Sequence, residues 1–200
     1  MDLSHVVSQN ILILFAHPST HHSIANKRII ERVSTLDQIT VNDLYQRYPD
    51  FYIDVERERA LLRSASLIIF QFPFYWYSSP PMLKLWQDVV LTKGFAYGPN
   101  GSELRGKDFM LSVTTGAKKE SYQSDGKYQF SMPELLRPFE ATANLCEMHY
   151  RQPLYLHSST HLADDVLNQY SEKLKSICQQ YLITGADVFD NFKEITDGDF

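Results

Sequence analysis

Cysteine is scarce in this chain of 200 residues. The two that occur, Cys146 and Cys178, lie far apart, and neither belongs to a CxxC pair or to a metal-ligand spacing. This excludes a disulfide framework and a cysteine-based zinc site as the basis of the fold. We therefore expect two reduced thiols, as is usual for a cytosolic protein.

Long apolar runs and an excess of basic residues are also missing. The longest apolar stretch, residues 11–16, is far shorter than the roughly 20 residues that span a bilayer, and we find no signal peptide. With 24 acidic against 19 basic residues the net charge is −5, which disfavours nucleic acid as a partner. We therefore expect a cytoplasmic protein.

The signature motifs of several enzyme classes are absent. The chain has no G-x-x-x-x-G-K-[ST] phosphate loop and no G-x-S-x-G hydrolase elbow. Its glycine-rich stretch, with Gly94, Gly98, Gly101 and Gly106, does not form G-x-G-x-x-G after a strand. These absences argue against a P-loop nucleotidase, an α/β-hydrolase and a Rossmann dinucleotide domain.

Short apolar runs alternate with longer amphipathic ones. Strands are predicted at 11–16, 39–44, 67–72, 109–113 and 154–156, and helices at 24–33, 55–63, 133–146 and 166–182. A further helix after Pro80-Pro81 carries Met82, Leu85, Trp86 and Val89 at helical spacing. We predict one α/β domain over 1–200, with its core at about 10–183 and a loosely ordered acidic tail at 184–200.

The number of strands predicts a particular sheet. Five parallel strands with helices on both faces favour the flavodoxin-like order 2-1-3-4-5. Ligands of such folds bind beyond the carboxyl ends of the strands, at the switch point between strands 1 and 3. Functional residues are therefore expected directly after strands 1, 3 and 4.

The segment after strand 1 contains His17, Ser23 and Asn26. Ser23 can cap the helix at 24–33, and a helix N-terminus offers free N–H groups and a partial positive charge, which suit a phosphate. The alternative is an ordinary capped helix with exposed histidines. His17, His21 and His22 lack the spacing of a zinc site, and we predict no metal.

Four consecutive aromatic residues, at positions 74–77, follow strand 3. Aromatic rings are costly to expose in a loop, so we expect a flat partner there, either an isoalloxazine ring or a dimer partner. A buried structural loop is the alternative. After strand 4 comes Thr114-Thr115-Gly116, where Gly116 permits close approach of the backbone to a ligand such as a flavin, although Thr-Gly loops are common.

Together these loops resemble the NAD(P)H:quinone oxidoreductase family of flavodoxin-like flavoproteins, and within it the small bacterial branch that includes the ancillary proteins of glutathione-gated potassium efflux systems. The resemblance covers about residues 10–182. The matching segments are Ala16-His17-Pro18, Ser23-Ile24-Ala25-Asn26, Asp43-Leu44-Tyr45, Tyr48-Pro49-Asp50-Phe51, Phe70-Gln71-Phe72-Pro73, Trp76, Leu83-Lys84, Phe95-Ala96-Tyr97 and Thr114-Thr115-Gly116.

The resemblance implies a flavin cofactor, FMN before FAD, with NAD(P)H as co-substrate and a quinone-like acceptor. It also implies a homodimer with the active site at the subunit interface. The cofactor-binding residues that it implies are His17, Ser23, Ile24, Ala25, Asn26, Pro73, Phe74, Tyr75, Trp76, Thr114, Thr115, Gly116 and Ala117.

The catalytic and interface residues follow from the same resemblance. Tyr122 matches the family tyrosine after the Thr-Thr-Gly loop, and Tyr128 stands where the larger quinone reductases have a histidine. Tyr97, with Phe95, matches an aromatic segment that crosses to the partner's site. Two other functions stay open: a regulatory subunit of a membrane potassium efflux transporter, peripheral to the inner face of the membrane, and a one-electron carrier of the flavodoxin type.

Overall fold

The computed structural model describes residues 9–19, 23–160 and 162–191. The strands in this part are β1 (Ile11–Phe15), β2 (Ile39–Asp43), β3 (Leu67–Pro73), β4 (Asp108–Thr114), β5 (His149–Tyr150) and β6 (Leu154–Leu156). The helices are α1 (Ile24–Val33), α2 (Leu44–Arg47), α3 (Val55–Ser64), α4 (Pro81–Val90), α5 (Met132–Leu135), α6 (Arg137–Leu145), α7 (Asp164–Thr184) and α8 (Asp187–Asn191).

The strands form one parallel sheet in the order β2-β1-β3-β4-β5, and β6 also pairs with β4. This confirms the predicted flavodoxin-like order. The fifth position differs from the prediction because two short strands, β5 and β6, replace a single one. Pro153 lies between them, and a proline has no N–H with which to continue the ladder along β4.

Helices cover both faces of the sheet. Alternate residues of the central strands point to opposite faces, so Ile11, Ile13 and Ile69 pack with α1 and α7, whereas Leu12 and Phe70 pack with α3, α4 and α6. Every residue of β1, β3 and β4 is buried, as expected for parallel strands sandwiched between helices. Ligands of such sheets therefore bind beyond the ends of the buried strands, as at the carboxyl ends of β1, β3 and β4.

Two helices differ from the sequence prediction. The buried residues of α4 are Met82, Leu83, Trp86 and Val90, while Leu85 and Val89 are half-buried, so the core-facing stripe is rotated from the predicted one. The predicted helix at 133–146 is divided at Leu136 into α5 and α6. Pro138 in the first turn of α6 explains the break, because proline cannot donate the bond that would continue α5.

The first residues of the predicted loosely ordered tail, up to 191, form a helix. Gly185 ends α7, and α8 follows it with Val188 and Phe189 buried. The ring of Phe189 lies 5.8 Å from that of Tyr181 and is covered by the guanidinium of Arg151 at 4.9 Å. Residues 192–200 of the predicted acidic tail lie outside the described residues.

Among the helices of the described residues, none combines the length and the apolar character needed to cross a bilayer.

Candidate functional site

A cavity of about 340 Å³ opens at the carboxyl ends of β1, β3 and β4. All three segments predicted from the sequence contribute to it, together with a fourth that follows β6. Its lining residues are His17, Ser19, Ser23, Ile24, Ala25, Asn26, Pro73, Phe74, Tyr75, Thr114, Gly116, Ser159 and Thr160.

A larger groove of about 570 Å³ lies between α1 and the end of β2. Basic Lys27 and Arg47 and acidic Glu31 and Asp43 line it, so charges of opposite sign offset each other there. The smaller cavity instead joins a helix N-terminus to an open stretch of backbone, which together suit a phosphorylated ligand. We therefore take the smaller cavity as the candidate site.

The N-terminus of α1 forms one end of this cavity. Ser23 caps the helix, and its Oγ accepts a bond of 3.3 Å from the N–H of Asn26, as the sequence predicts. The N–H groups of Ile24 and Ala25 belong to the first turn, where a helix has no internal acceptors. These groups and the helix dipole favour an anion at this end of the cavity.

Asn26 lies beneath the cap and is only 2 % exposed. Its Nδ2 donates to Ser23 Oγ and to Thr114 Oγ1, each at 3.0 Å, and its Oδ1 accepts a bond of 2.8 Å from Gln71 Nε2. The side chain thus joins α1 to β3 and β4. The sequence predicts Asn26 at the site but not Gln71, which stands in an apolar strand.

His17 follows β1 and is almost buried. The N–H of Ser19 donates to its Nδ1 at 3.1 Å, so the neutral ring carries its proton on Nε2. Burial lowers the pKa of His17 below its ordinary value of 6.5. The imidazole is therefore mainly neutral at pH 7, with its proton on Nε2.

The lowered pKa of His17 predicts a pH-dependent stability. The contribution of the neutral ring is complete above pH 6.5 and is lost as the pH falls from there through the lowered folded-state value. We expect His17→Asn, which keeps an acceptor for Ser19, to reduce this acid-induced loss. Urea unfolding of the ligand-free wild type and variant at several pH values between 7.5 and 5 measures this loss, and a parallel pH dependence of stability in the two proteins would contradict the prediction.

The Thr114–Gly116 backbone forms the opposite wall. The carbonyl of Thr114 accepts a bond of 2.8 Å from the N–H of Phe74, which joins this wall to the four consecutive aromatic residues at 74–77, here called the aromatic loop. A Cβ added at Gly116 would meet no atom within 4 Å, and the φ of this residue is outside the left-handed region. Neither packing nor backbone conformation therefore requires glycine here, and the open space beside it faces the cavity.

The segment that follows β6 supports this wall from behind. The N–H of Thr115 donates to Leu156, the N–H of Ser159 to Thr115, and the N–H of Ser158 to Ala117, at 2.8–3.0 Å. Thr115 Oγ1 lies 2.9 Å from Nδ1 of the buried His157 and donates to the carbonyl of Ala117 at 2.9 Å. The predicted ligands Thr115 and Ala117 consequently do not line the cavity.

The aromatic loop divides between the cavity and the surface. Phe74 and Tyr75 line the cavity, but Trp76 is 93 % exposed and does not. Tyr75 and Ser78 exchange backbone bonds of 3.0 Å, and Trp76 and Tyr77 between them adopt positive φ values of 49° and 63°. Non-glycine residues rarely adopt such values, so this tight turn directs the indole outward at a cost in backbone energy.

Tyr122 and Tyr128 lie behind the aromatic loop rather than in the cavity. The ring of Tyr122 is nearly buried, 6.1 Å from that of Phe74, 5.0 Å from that of Tyr128 and 5.6 Å from that of His157. Burial raises the pKa of the Tyr122 phenol. The group is therefore a neutral hydrogen-bond donor at pH 7.

Phe95 and Tyr97, which the sequence predicts to reach a partner subunit, lie in different environments. Phe95 is only 4 % exposed and lies under the guanidinium groups of Arg59 and Arg63, at 4.7 and 5.3 Å from its ring centre. Phe95 therefore packs beneath two arginines of α3, and its burial contradicts the predicted place at an interface. Tyr97 is partly buried against the same core, and its role at an interface stays a prediction.

The comparisons with known proteins agree with this geometry. Residues 9–180 match the sequence profile of a family described by its flavodoxin-like fold. The chain belongs to this flavodoxin-like family. The match covers all six strands and most of α7, so the cavity lies within the part that defines the family.

Three relatives of this flavodoxin-like chain are informative. The glutathione-regulated potassium-efflux system ancillary protein KefG of Pectobacterium atrosepticum is 44% identical over 83% of this chain and 93% of its own. A general stress protein 14 of Treponema denticola, solved in complex with FMN, is 37% identical with a TM-score of 0.79, over 86% of this chain and 99% of its own. An NADPH-quinone reductase of P. pentosaceus is 33% identical with a TM-score of 0.75, over 82% and 97%.

No cluster of three or more histidine, cysteine or carboxylate side chains that could hold a metal occurs within the described part of this flavodoxin-like chain. His21 and His22, which the sequence placed near His17, lie outside the described residues. Ser19, Gln71, His157, Ser159 and Thr160 are residues in or behind the described cavity that the sequence did not predict. Their only signal was polar character within or directly after a buried strand.

Proposed function

We propose that this chain binds FMN at the candidate site and transfers hydride from NAD(P)H to a quinone-like acceptor. The observation that carries the proposal is the cavity itself, which combines a helix N-terminus, an open glycine backbone and two aromatic rings at the carboxyl ends of β1, β3 and β4. The FMN complex of a relative and the quinone reductase among the solved structures support the choice of cofactor and reaction.

The donor set of the cavity fits the phosphate of FMN. The first-turn N–H groups of α1, the Ser23 hydroxyl and His17 Nε2 are all neutral donors, and no lysine or arginine is among the described lining residues. The helix dipole would supply the favourable electrostatic interaction in their place. The open space beside Gly116 fits the edge of a flat ring, whose carbonyls the backbone N–H groups of this wall would bind.

FMN held here would supply the chemistry of hydride transfer. The chain's own residues would hold and shield it. Phe74 and Tyr75 would exclude water from one side, and the wall of Thr114 and Gly116, braced by the segment after β6, would hold the edge of a flat ring. NAD(P)H and the acceptor would then use the same open face in turn.

Tyr122 does not line the cavity but packs behind it, with its ring 6.1 Å from that of Phe74, and we propose that its phenol stabilises from there the negative charge that develops on this side of the site. Tyr122→Phe removes one phenolic donor, and a hydrogen bond in a low-dielectric site is worth about 0.5–1.5 kcal/mol, so flavin reduction should slow about 3- to 10-fold. The affinity for FMN should change less. Stopped-flow reduction by NADPH measures the rate, with Tyr52→Phe on the exposed surface as the control, and equal rates for wild type and Tyr122→Phe would remove Tyr122 from the mechanism.

The activity is tested by loading the protein with FMN and titrating it with NADH and NADPH without oxygen, then adding a simple quinone. We expect bleaching of the flavin absorbance by at least one nicotinamide and rapid recovery with the quinone. Failure of both nicotinamides would reject the proposed reaction and favour the carrier or regulatory function. The mass of the flavin released by heat distinguishes FMN from FAD.

A homodimer is part of the proposal. An exposed indole held outward by a strained turn beside the cavity is costly for a monomer, and exposed apolar groups of this kind mark interfaces. A second copy that packs on Trp76 would complete the wall of the site. Light scattering after size exclusion is expected to give twice the mass of the chain, and Trp76→Ser should increase the monomer fraction.

A second candidate function is that of an ancillary subunit of a potassium efflux system, located in the cytoplasm and peripheral to the membrane. The 44% identity to such a protein favours it, and the aromatic side chains of Phe51 and Tyr52 lie exposed on the surface formed by residues 45–54. This function is compatible with catalysis. Co-purification of the chain with the membrane transporter of its own source tests it, and Tyr52→Ser should weaken that association if the surface is used.

A further inference from the structure

Ser23 has a single remaining hydrogen-bonding capacity. A serine hydroxyl provides one donor and two acceptor lone pairs. Its oxygen already accepts from the N–H of Asn26 at 3.3 Å and from Asn26 Nδ2 at 3.0 Å. Both lone pairs are therefore engaged, and the O–H is left to donate into the cavity that Ser23 lines.

The orientation of the Asn26 amide fixes this state of Ser23. An amide turned by half a rotation would present Oδ1 to the serine, whose hydroxyl would then donate inward instead of into the cavity. One bond opposes that rotation: Oδ1 accepts from Gln71 Nε2 at 2.8 Å. The Thr114 hydroxyl does not oppose it, because Thr114 Oγ1 lies 3.0 Å from Nδ2 and 3.3 Å from Oδ1 and can accept from the one or donate to the other. Gln71 is fully buried in β3 and does not line the cavity, so it can act on Ser23 only through Asn26.

Gln71 carries a cost that packing does not explain. Its Oε1 is buried with no hydrogen-bond partner among the described residues. An unpaired buried polar atom destabilises a fold, and an apolar side chain at this position would avoid the cost. Among the described residues, the Gln71 side chain makes one hydrogen bond, which Nε2 donates to Asn26 Oδ1. What the glutamine amide provides at this buried position is therefore the orientation of Asn26.

We propose that Gln71 is a positioning residue that, through Asn26, holds the Ser23 hydroxyl as a donor and so makes this end of the cavity selective for a phosphate monoester. This inference rests on the proposed function, since it concerns the terminal phosphate of FMN. It predicts that this relay of hydrogen bonds, from Gln71 through Asn26 to Ser23, matters for the binding of FMN and not for that of riboflavin, which has the same ring and side chain without the phosphate.

The test compares the affinities of the flavin-free protein for FMN and riboflavin by fluorescence quenching. Ser23→Ala should lower the FMN-to-riboflavin affinity ratio about 10-fold, since a hydrogen bond to a charged group is lost. Gln71→Met should lower the ratio about 3-fold in the wild-type background and leave it unchanged in the Ser23→Ala background. Gln180→Met, which changes an exposed glutamine on α7, is the matched control and should leave the ratio unchanged.

The relay would be overturned if Gln71→Met lowered the affinities for FMN and riboflavin equally. It would also be overturned if Gln71→Met lowered the affinity ratio by the same factor in the wild-type and Ser23→Ala backgrounds. If Gln71→Met does not fold by thermal melting, the isosteric Asn26→Asp replaces it. The carboxylate of that variant offers only oxygen atoms to Ser23, so the hydroxyl turns inward and the ratio should fall at least as far as in Ser23→Ala, because the same donor is lost and a negative charge is added beside the phosphate; an unchanged ratio would again overturn the relay. A wild-type protein that binds neither flavin rejects the proposed function itself, which is a separate outcome.

Discussion

Replacing Gly116 by valine should weaken FMN binding about 30-fold while leaving the fold intact. The added side chain would enter the open space beside the Thr114–Gly116 wall, where the proposed ring edge lies, and it would meet no protein atom there through its Cβ. Overpacking of this kind costs about 2 kcal/mol, so the dissociation constant for FMN should rise about 30-fold. Titration of the flavin-free protein with FMN measures the change.

Gly101 provides a contrasting control for this substitution. A Cβ at Gly101 would approach the carbonyl oxygen of Tyr97 to 2.2 Å, so Gly101→Ala should lower the stability of the protein itself. Gly116→Val and Gly116→Ala should have melting temperatures close to that of the wild type. Normal FMN affinity in Gly116→Val would mean that no ligand occupies this side of the cavity.

The largest expected loss of stability follows from replacing Glu58 by alanine. Glu58 is fully buried on α3, and each of its carboxylate oxygens accepts two bonds. Oε1 accepts from Tyr48 and Arg57, both at 2.5 Å, and Oε2 accepts from Asn42 at 2.7 Å and from the indole of Trp86 at 2.8 Å. One carboxylate thereby joins β2, the turn after α2, α3 and α4.

Glu58→Ala would leave all of these donors without their acceptor and open a cavity among them. Removal of one partner of a buried charged network costs about 3–5 kcal/mol, so the flavin-free variant should unfold at much lower urea concentration or fail to fold at all. Glu56→Ala on the same helix removes an exposed carboxylate paired with Arg59 and should cost less than about 1 kcal/mol. Similar unfolding midpoints for the two variants would contradict the role assigned to Glu58.

The regular parts of the fold could be predicted because they depend on local signals. Uninterrupted apolar runs identified the buried strands, Ser23 identified the start of α1, and the order of elements identified the sheet. The bounds of α1 agree with the prediction because the cap and the periodicity act on the same ten residues. The division between β5 and β6 depends on Pro153 and on pairing with β4, which a short apolar run does not reveal.

The sequence predicted which segments form the candidate site better than it predicted which of their side chains line it. The chain reverses at Trp76 through a turn whose geometry depends on bonds between Tyr75 and Ser78, so the sequence alone could not show that the indole points outward. His157 reaches Thr115 from 42 positions away, and Gln71 resembles a core residue until its bond to Asn26 is seen. Such long-range contacts are set by packing and not by local pattern.

Binding of flavin by the flavin-free protein tests the central claim most directly. Titration with FMN should quench the flavin fluorescence to saturation at one flavin per chain, with a dissociation constant in the micromolar range or lower, and this constant should be about 30-fold higher in Gly116→Val. Absence of saturable quenching at micromolar FMN, or equal dissociation constants for the two proteins, would show that the cavity between α1 and the Thr114–Gly116 wall is not a flavin site.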